Sequence, residues 1–370
     1  HSLVEVEAMA RVLIEKLTKK FGDVIAVDSI SAEVADGEFM CMLGPSGCGK
    51  TTTLRMIAGL EQQDEGNIYI GNTLVNDLPP KDRDIAMVFQ FYAMYPDKNA
   101  FEQIAFPLRM RKFPKDEIKK RVTNVAEMLG IAEILKEPMS RLTVDQRQKI
   151  EIGRAIVRQP QVYLFDEPLT NLDAKLRAHM RAELKRLQNE LKTTTVYVTH
   201  DQLEAMILAS RIAVMNKGKI VQYDTPDRLY DRPSDLFVAG FIGTPPMNFV
   251  DCTLTRDKDR FVLDAGDFKY DISAIAEPIS ESSSGNELIL GIRPEDIVIR
   301  ERATERDAIE GEVDIVEPVG NRIIVDLRVG RHYLKANTRP MTLRPGEKVE
   351  ILFDRNRIHV IDKKTEAVIL

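Results

Sequence analysis

Eight consecutive residues have the types and spacing of a phosphate-binding loop of the form G-x-x-x-x-G-K-[ST]: Gly44, Pro45, Ser46, Gly47, Cys48, Gly49, Lys50 and Thr51. The glycines permit backbone angles and close approaches that a side chain would block, so the backbone amides can form a nest for anions. Lys50 supplies a positive charge for the β- and γ-phosphates of a nucleotide, and the hydroxyl of Thr51 suits Mg²⁺. Residues 44–51, called the phosphate loop below, therefore predict a site for a nucleoside triphosphate.

The segments on either side of the phosphate loop have the periodicity that this motif requires. Residues 38–43 form a mostly apolar run typical of a short buried strand. From Thr52 onward, Leu54, Ile57 and Leu60 recur at helical spacing. A helix that begins here directs its positive end at the phosphates.

Three other predicted buried strands carry polar residues at their carboxyl ends. Gln90 follows residues 85–89, Asp166 and Glu167 follow residues 162–165, and His200 follows residues 194–199. Because the carboxyl ends of parallel strands meet at the edge where ligands bind, we expect these side chains near the phosphate loop. Asp166 can then hold Mg²⁺, and Glu167 can polarise the attacking water.

The rest of the first 240 residues predicts antiparallel strands and a helical region. Residues 11–35 alternate apolar and polar side chains, and Phe21 lies at a turn between two strands. The Phe21 ring either fills a local core or stacks on adenine. Residues 91–160 read as mainly helical, with Thr143 as the N-cap of one helix.

Composition and the C-terminal part narrow the class of protein. The chain has 370 residues and a net charge of −6, which argues against a general nucleic-acid binder. Its three cysteines have no metal-like spacing, and no apolar run approaches the roughly 20 residues that span a bilayer, so we expect a soluble cytoplasmic chain without a signal peptide. From about residue 241, short strands separated by turns predict a small all-β barrel.

The order and spacing of these motifs resemble those of ABC transporter ATPase subunits over essentially the whole chain. Four further stretches are similar to the carbohydrate-uptake importers of the maltose and multiple-sugar type: residues 80–90, 171–177, 241–248 and 291–296. The resemblance implies an α/β P-loop NTPase core with antiparallel β and helical subdomains, followed by a C-terminal all-β barrel of the OB/TOBE type. It implies a nucleotide-binding domain over 1–240, with a helical subdomain at about 91–160, and a regulatory β-barrel over 241–370.

The resemblance also assigns roles within the nucleotide site. Phe21 would stack on adenine, and residues 44–52, including Thr52, would hold the phosphates. Thr51, Gln90 and Asp166 would surround Mg²⁺. Glu167, His200 and Gln90 would form the catalytic set, in which Glu167 is the general base or water-positioning residue and His200 contacts the γ-phosphate.

The family's partners follow from the same resemblance. Asp173 would connect the two ATP sites of a head-to-tail homodimer. Phe91, Tyr92, Met94 and Tyr95 would line the groove that receives a helix of a membrane permease subunit, and a local core is the alternative interpretation of such a cluster. The chain would lie on the inner face of the membrane and work indirectly with a solute-binding protein. The imported solute would be a sugar, with polyamines, glycerol phosphate or iron as the alternatives.

One segment departs from the family pattern. The family signature has Leu, Ser, two glycines and Gln, whereas this chain has Leu142, Thr143, Val144, Asp145 and Gln146. In the family this loop closes on the ATP of the opposite subunit, with Thr143 and Gln146 in the positions that match. Val144 adds bulk, and Asp145 either brings a negative charge near the triphosphate or merely favours the helix start and points to solvent. We hypothesise that ATP binding survives while turnover is weakened, or that the chain is a regulator that binds ATP without efficient hydrolysis.

Overall fold

The computed structural model describes residues 10–90, 94–257, 260–276, 279, 283–300 and 308–370. Phe91 and Tyr92 of the predicted groove lie outside the described residues. The chain forms two compact units, of which the first ends at Pro226 and the second begins at Asp227.

A six-stranded sheet forms the centre of the first unit. Its strands are β3 (Phe39–Leu43), β6 (Ile85–Val88), β7 (Val162–Asp166), β8 (Thr194–Thr199), β9 (Arg211–Asn216) and β10 (Lys219–Asp224), in the order β10-β9-β3-β8-β7-β6. All pairs are parallel except the edge pair β9–β10. Because β3, β7 and β8 are buried along their whole length, they are nearly continuous apolar or threonine-containing runs rather than alternating ones.

The parallel register brings four strand ends to one edge, as the sequence predicted. The phosphate loop follows β3, Gln90 lies two residues after the end of β6, Asp166 ends β7 and His200 follows β8. These are the carboxyl ends of neighbouring parallel strands, where ligands bind in open α/β sheets.

The segment of residues 11–35 that was predicted to alternate forms two strands of an antiparallel sheet. Its strands are β1 (Val12–Phe21), β2 (Val24–Val34), β4 (Glu65–Ile70) and β5 (Thr73–Leu74), in the order β2-β1-β4-β5. Val12, Ile14 and Leu17 of β1 pack into the same core as β3 and the first helix. The alternating pattern therefore reflects a sheet with one covered face.

Helices complete the first unit, and the region predicted to be helical contains three of them. The helices are α1 (Lys50–Ala58), α2 (Ala100–Met110), α3 (Lys115–Met128), α4 (Val144–Ile156), α5 (Ala174–Leu191) and α6 (Gln202–Leu208). Pro114 precedes α3, and Ile118, Val122 and Val125 lie on its buried face. Thr143 caps α4 as predicted: its hydroxyl accepts a bond from the Gln146 amide, while the Gln146 side chain accepts one from the Thr143 amide.

Short helices and two antiparallel five-stranded sheets make up the second unit. The helices are α7 (Pro226–Asp231) and α8 (Leu236–Phe241). The first sheet contains β11 (Asn248–Asp257), β12 (Arg260–Asp264), β13 (Lys269–Asp271), β14 (Glu287–Ile292) and β20 (His359–Asp362). The second contains β15 (Ile297–Arg300), β16 (Ile309–Val319), β17 (Arg322–Val329), β18 (His332–Thr338) and β19 (Lys348–Phe353). Both sheets contribute to one apolar core, and Asn248 links them through bonds with the backbone of Lys335.

A buried arginine fastens the helices of the second unit to its sheets. Arg293 donates to the carbonyl oxygens of Ile242 at 2.7 Å and Tyr230 at 2.5 Å, and its guanidinium lies 3.6 Å from the Tyr230 ring centroid. Burial lowers the pKa of Arg293 to about 10. One planar side chain thus replaces the hydrogen bonds that water would otherwise provide to these carbonyls.

Candidate nucleotide-binding and catalytic site

The phosphate loop has the geometry for which its glycines were predicted. Gly49 has a φ of 104°, and a Cβ atom there would lie 2.4 Å from the carbonyl oxygen of Ala26. At Gly44 a Cβ atom would lie 2.3 Å from the carbonyl oxygen of Met215. Glycine is therefore required at Gly49 by conformation and space, and at Gly44 by space.

Lys50 and the two threonines that follow it form the first turn of α1. Lys50 is only 4% exposed, and its Nζ atom donates to the carbonyl oxygens of Gly44 at 2.8 Å and Pro45 at 2.9 Å. The buried Cys48 thiol lies 3.7 Å from the same nitrogen. The ammonium group is thus held inside the curve of the loop, while Thr51 and Thr52 lie at the positive end of the helix.

Two of the three predicted metal ligands touch one another. The Thr51 hydroxyl donates to Oδ1 of Asp166 at 3.0 Å, although the two residues are 115 positions apart in sequence. Burial raises the pKa of Asp166 above its ordinary value, and the bond from Thr51 acts in the opposite direction. For Gln90, the third predicted ligand, the structure gives a different contact, since its backbone carbonyl accepts a bond from the side chain of Asn171 at 3.0 Å.

Glu167 and His200 are also brought together. Nδ1 of His200 lies 3.0 Å from Oε2 of Glu167, and the Thr170 hydroxyl donates to the same oxygen at 3.1 Å. Glu167 has a φ of 45°, a left-handed conformation that is uncommon for a residue with a side chain. Such local strain persists only where the surroundings fix it, and it is concentrated at functional sites.

The altered signature segment forms the first turn of α4. Val144 is 45% exposed, and Oδ2 of Asp145 lies 3.7 Å from Nζ of Lys149, one turn further along the helix. Within the described part of the chain, the side-chain hydrogen bonds of Thr143 and Gln146 are the two of their capping box rather than bonds to the phosphate loop. The acidic charge of Asp145 is therefore paired within its own helix.

The other predicted residues lie at the ends of strands and helices or in loops. Phe21 ends β1 with half of its surface exposed, and Nζ of Lys19 lies 5.1 Å from the ring centroid. Asp173 is the N-cap of α5, where its Oδ1 accepts the Leu176 amide at 2.9 Å. Tyr95 of the predicted groove packs against α2, where its ring centroid lies 4.4 Å from that of Phe106.

Three charged residues around the site were not predicted from the sequence. Lys149 pairs with Asp145, Arg177 donates to Asp201 and to the loop before α5, and Glu151 of α4 is 3% exposed. Burial raises the pKa of Glu151 to about 7, opposed in part by Arg154 and by the backbone amide of Phe89. The pair of Lys149 with Asp145 could have been predicted, because residues four positions apart face each other on a helix. The contacts of Arg177 and the burial of Glu151 could not, because they depend on residues that are distant in the sequence.

A magnesium ion fits the oxygen donors that the structure brings together. Among the described residues, no group of three or more His, Cys, Asp and Glu side chains is placed to hold a metal ion. Thr51 and Asp166 nevertheless provide a hydroxyl and a carboxylate at one point beside the phosphate loop. Mg²⁺ keeps several waters and uses few protein ligands when it binds with nucleotide phosphates, so this small donor set is appropriate.

None of the helices in the part of the chain that the structure describes is both long enough and apolar enough to span a bilayer.

Comparison with known proteins agrees with the geometry. Residues 27–170 match the ABC transporter family, 243–297 the MalK OB fold domain and 290–361 the TOBE domain. The trehalose/maltose import ATP-binding protein MalK of Thermococcus litoralis is 51% identical over 98% of this chain and 100% of its own length. The xylose/arabinose import ATP-binding protein XacK of Haloferax volcanii is 45% identical over 96% of this chain and 94% of its own length.

A solved structure extends the comparison to the fold. A dimeric ATP-binding cassette in a post-hydrolysis state, bound to ADP and phosphate, superposes with a TM-score of 0.52 at 29% identity, covering 58% of this chain and 98% of that one. The phosphate loop, the strand-end residues and these similarities lead to one assignment. The chain belongs to the ATP-binding subunits of ABC transporters, in the importer branch with C-terminal OB and TOBE domains, and it is an ATPase.

Proposed function

We propose that this subunit hydrolyses MgATP at the edge formed by β3, β6, β7 and β8 in order to energise carbohydrate uptake. The observation that supports this most directly is the pair of 3.0 Å contacts beside the phosphate loop, Thr51 with Asp166 and His200 with Glu167. A metal-binding oxygen set and an acid–base pair beside one phosphate site are what hydrolysis of MgATP requires, and these two contacts support that assignment.

The phosphate loop and Lys50 bind the triphosphate, and Phe21 offers its exposed ring to the base. Thr51, Asp166 and Gln90 are the residues that would hold Mg²⁺, which neutralises charge on the β- and γ-phosphates when it is bound. Stacking on an aromatic face requires no specific hydrogen bond to the base. Binding therefore depends on the phosphates for most of its directional contacts.

Glu167 orients and deprotonates the attacking water. Within the described residues, Thr170 and His200 both contact Oε2 of the Glu167 carboxylate. The other oxygen, Oε1, is therefore the one that faces the attacking water. His200 donates from Nδ1 to Glu167 and offers Nε2 to the γ-phosphate.

The site is completed by a second copy of the chain in a head-to-tail dimer. In each copy, the side chains of Thr143 and Gln146 are bonded within their own capping box rather than to the phosphate loop of the same copy. We infer that they contact the nucleotide bound by the other copy. The start of α4, which is the positive end of that helix, then meets the nucleotide of the opposite copy, and Asp173 lies at the junction of the two sites. ATP favours the closed dimer through contacts that exist only in that state.

The membrane partners are permease subunits, and the chain binds them on the inner face of the membrane. Met94 and Tyr95 begin the proposed docking groove, where the exposed Tyr95 ring packs on Phe106 of α2. The two relatives compared above are named for different sugars, which supports carbohydrate as the solute class rather than one compound. A solute-binding protein would act through the permease.

The altered signature favours a slow variant of this function. Val144 and Asp145 stand where the family has two glycines, so we propose that ATP binds normally and that dimer closure limits turnover. The extreme form of this proposal is a regulator that binds ATP without efficient hydrolysis.

Phosphate release from purified protein with MgATP, measured beside Glu167→Gln, tests the proposed site. Turnover abolished by Glu167→Gln supports the assigned base, and turnover retained by that variant refutes it. The solute class is tested with the complete transporter in vesicles. Stimulation of ATP hydrolysis by maltose, trehalose, xylose or arabinose supports carbohydrate uptake, whereas stimulation only by glycerol 3-phosphate, spermidine or iron refutes it.

A further inference from the structure

Arg177, on the first turn of α5, joins two loops that leave neighbouring strands. Its Nη2 atom donates to the backbone carbonyl oxygens of Leu172 at 3.1 Å and Thr170 at 3.4 Å, in the loop after β7. Its Nη1 atom donates to Oδ2 of Asp201 at 3.3 Å, in the loop after β8. A single planar guanidinium therefore bridges both loops.

The same two loops carry Glu167 and His200. The Thr170 hydroxyl and Nδ1 of His200 both contact Oε2 of Glu167, at 3.1 and 3.0 Å. Since Asp201 directly follows His200, the contacts close into a ring: Glu167, Thr170, Arg177, Asp201, His200 and back to Glu167. We call this set the Arg177 ring.

The β8 side of the ring is anchored independently of Arg177. Oδ1 of Asp201 accepts the Glu204 amide at 3.1 Å, and the Asp201 amide donates to the Thr199 hydroxyl at 3.0 Å. The buried Glu204 in turn accepts bonds from Thr199 at 2.8 Å and Tyr197 at 2.9 Å. Asp201 is thus a fixed point, and Arg177 holds the loop of residues 170–172 against it.

We propose that Arg177 is a positioning residue that sets the distance between Glu167 and His200. The proposal rests on the roles proposed above for those two residues. It requires arginine rather than any cation, because only a fork of several donors reaches a carboxylate and two carbonyls at once. A catalytic carboxylate displaced by about 1 Å can lose about 100-fold in rate while the substrate still binds.

The test uses the full chain with Arg177→Met, Arg177→Lys and, as the matched control, Arg181→Met one turn further along α5. Three quantities are measured: the Kd for MgATP, the single-turnover cleavage rate of radiolabelled ATP with protein in excess, and amide hydrogen exchange over residues 168–173. We expect a Kd within about twofold, cleavage about 10- to 100-fold slower in both Arg177 variants, and exchange about tenfold faster. Arg181→Met should leave all three unchanged.

Asp201→Asn provides a second arm, because asparagine keeps one oxygen to accept the Glu204 amide at the N-cap of α6 and replaces the oxygen that accepts from Arg177 with an NH2 group. If both residues act through one ring, Arg177→Met combined with Asp201→Asn should be no more than about threefold slower than either single variant. Unchanged cleavage and exchange in Arg177→Met, or wild-type cleavage in Arg177→Lys, would overturn the proposal. If the wild-type chain cleaves no ATP, the proposed function fails, and exchange alone decides whether Arg177 holds the loop.

Discussion

Replacing Val144 and Asp145 together by glycine should raise the rate of phosphate release. If the Asp145 carboxylate lies about 5 Å from a phosphate of the opposite copy, its repulsion is about 3 kcal/mol per unit charge at an effective dielectric near 20. The paired Lys149 lies 3.7 Å from this carboxylate, so at about 8 Å from the same phosphate it contributes an attraction of about 2 kcal/mol. The net penalty is then about 1 kcal/mol, which corresponds to a roughly fivefold to tenfold slower closure.

Single variants separate the two charges. Asp145→Gly should accelerate phosphate release about 150-fold, because it removes the repulsion of about 3 kcal/mol and leaves the attraction of Lys149. Lys149→Met should slow phosphate release about 30-fold, because Asp145 then acts without its counter-ion. Oδ1 of Asp145 is buried and has no hydrogen-bond partner among the described residues, so Lys149 is its main compensation. Removing both charges with Asp145→Asn and Lys149→Met should restore at least the parent rate.

The assay is steady-state phosphate release at saturating MgATP, with Glu167→Gln as the background. Equal rates in the parent chain, the double-glycine variant and Lys149→Met would refute the reasoning, because they would show that neither charge faces the triphosphate. Activity that appears only in the double-glycine variant would identify the parent chain as an ATP-binding regulator.

Three other predictions concern the pH dependence of stability, the binding of Mg²⁺ by Asp166 and the stacking of the adenine base on Phe21. Burial raises the pKa of Glu151 from 4.5 to about 7, so the folded state binds its proton more tightly and loses up to about 3 kcal/mol of stability as pH rises through that interval. Glu151→Gln should flatten this dependence in urea unfolding at pH 5 and 8, whereas the exposed control Glu127→Gln should retain it; equal slopes would refute the assignment. Asp166→Asn should raise the Mg²⁺ concentration required for phosphate release at least about tenfold, and an unchanged Mg²⁺ titration would exclude Asp166 as a ligand. Phe21→Ala should weaken MgATP binding about tenfold or more and Phe21→Tyr should not; equal Kd values would show that the ring is no platform for the base.

The strand-end residues could be predicted because each lies at a local change of pattern. The phosphate loop has residue requirements that follow from backbone geometry alone, and β3, β7 and β8 are apolar enough to be recognised as buried strands. Once the sheet is parallel, topology places Asp166 and His200 on the same edge without knowledge of any contact.

The contacts between these residues could not be predicted in the same way. The ion pair between Arg177 and Asp201 joins residues 24 positions apart, and a helical arginine ordinarily indicates a solvated face. The burial of Glu151 is similarly invisible, since a charged residue in a helix is rarely buried unless it is paired. Long-range packing, rather than local propensity, decides both.

Helix α4 connects the altered signature with the catalytic edge. Its Gln148 side chain donates to the backbone carbonyl of Pro168, next to Glu167, and its buried Glu151 lies near the backbone of Phe89, next to Gln90. A displacement of Thr143 therefore requires either that the helix move against both strand ends or that its first turn unwind. The capping box and the Asp145–Lys149 pair oppose unwinding. Contact with the neighbouring nucleotide is thus expected to reach Glu167 through a rigid helix, so changes at Val144 and Asp145 should alter the cleavage rate as well as dimer affinity.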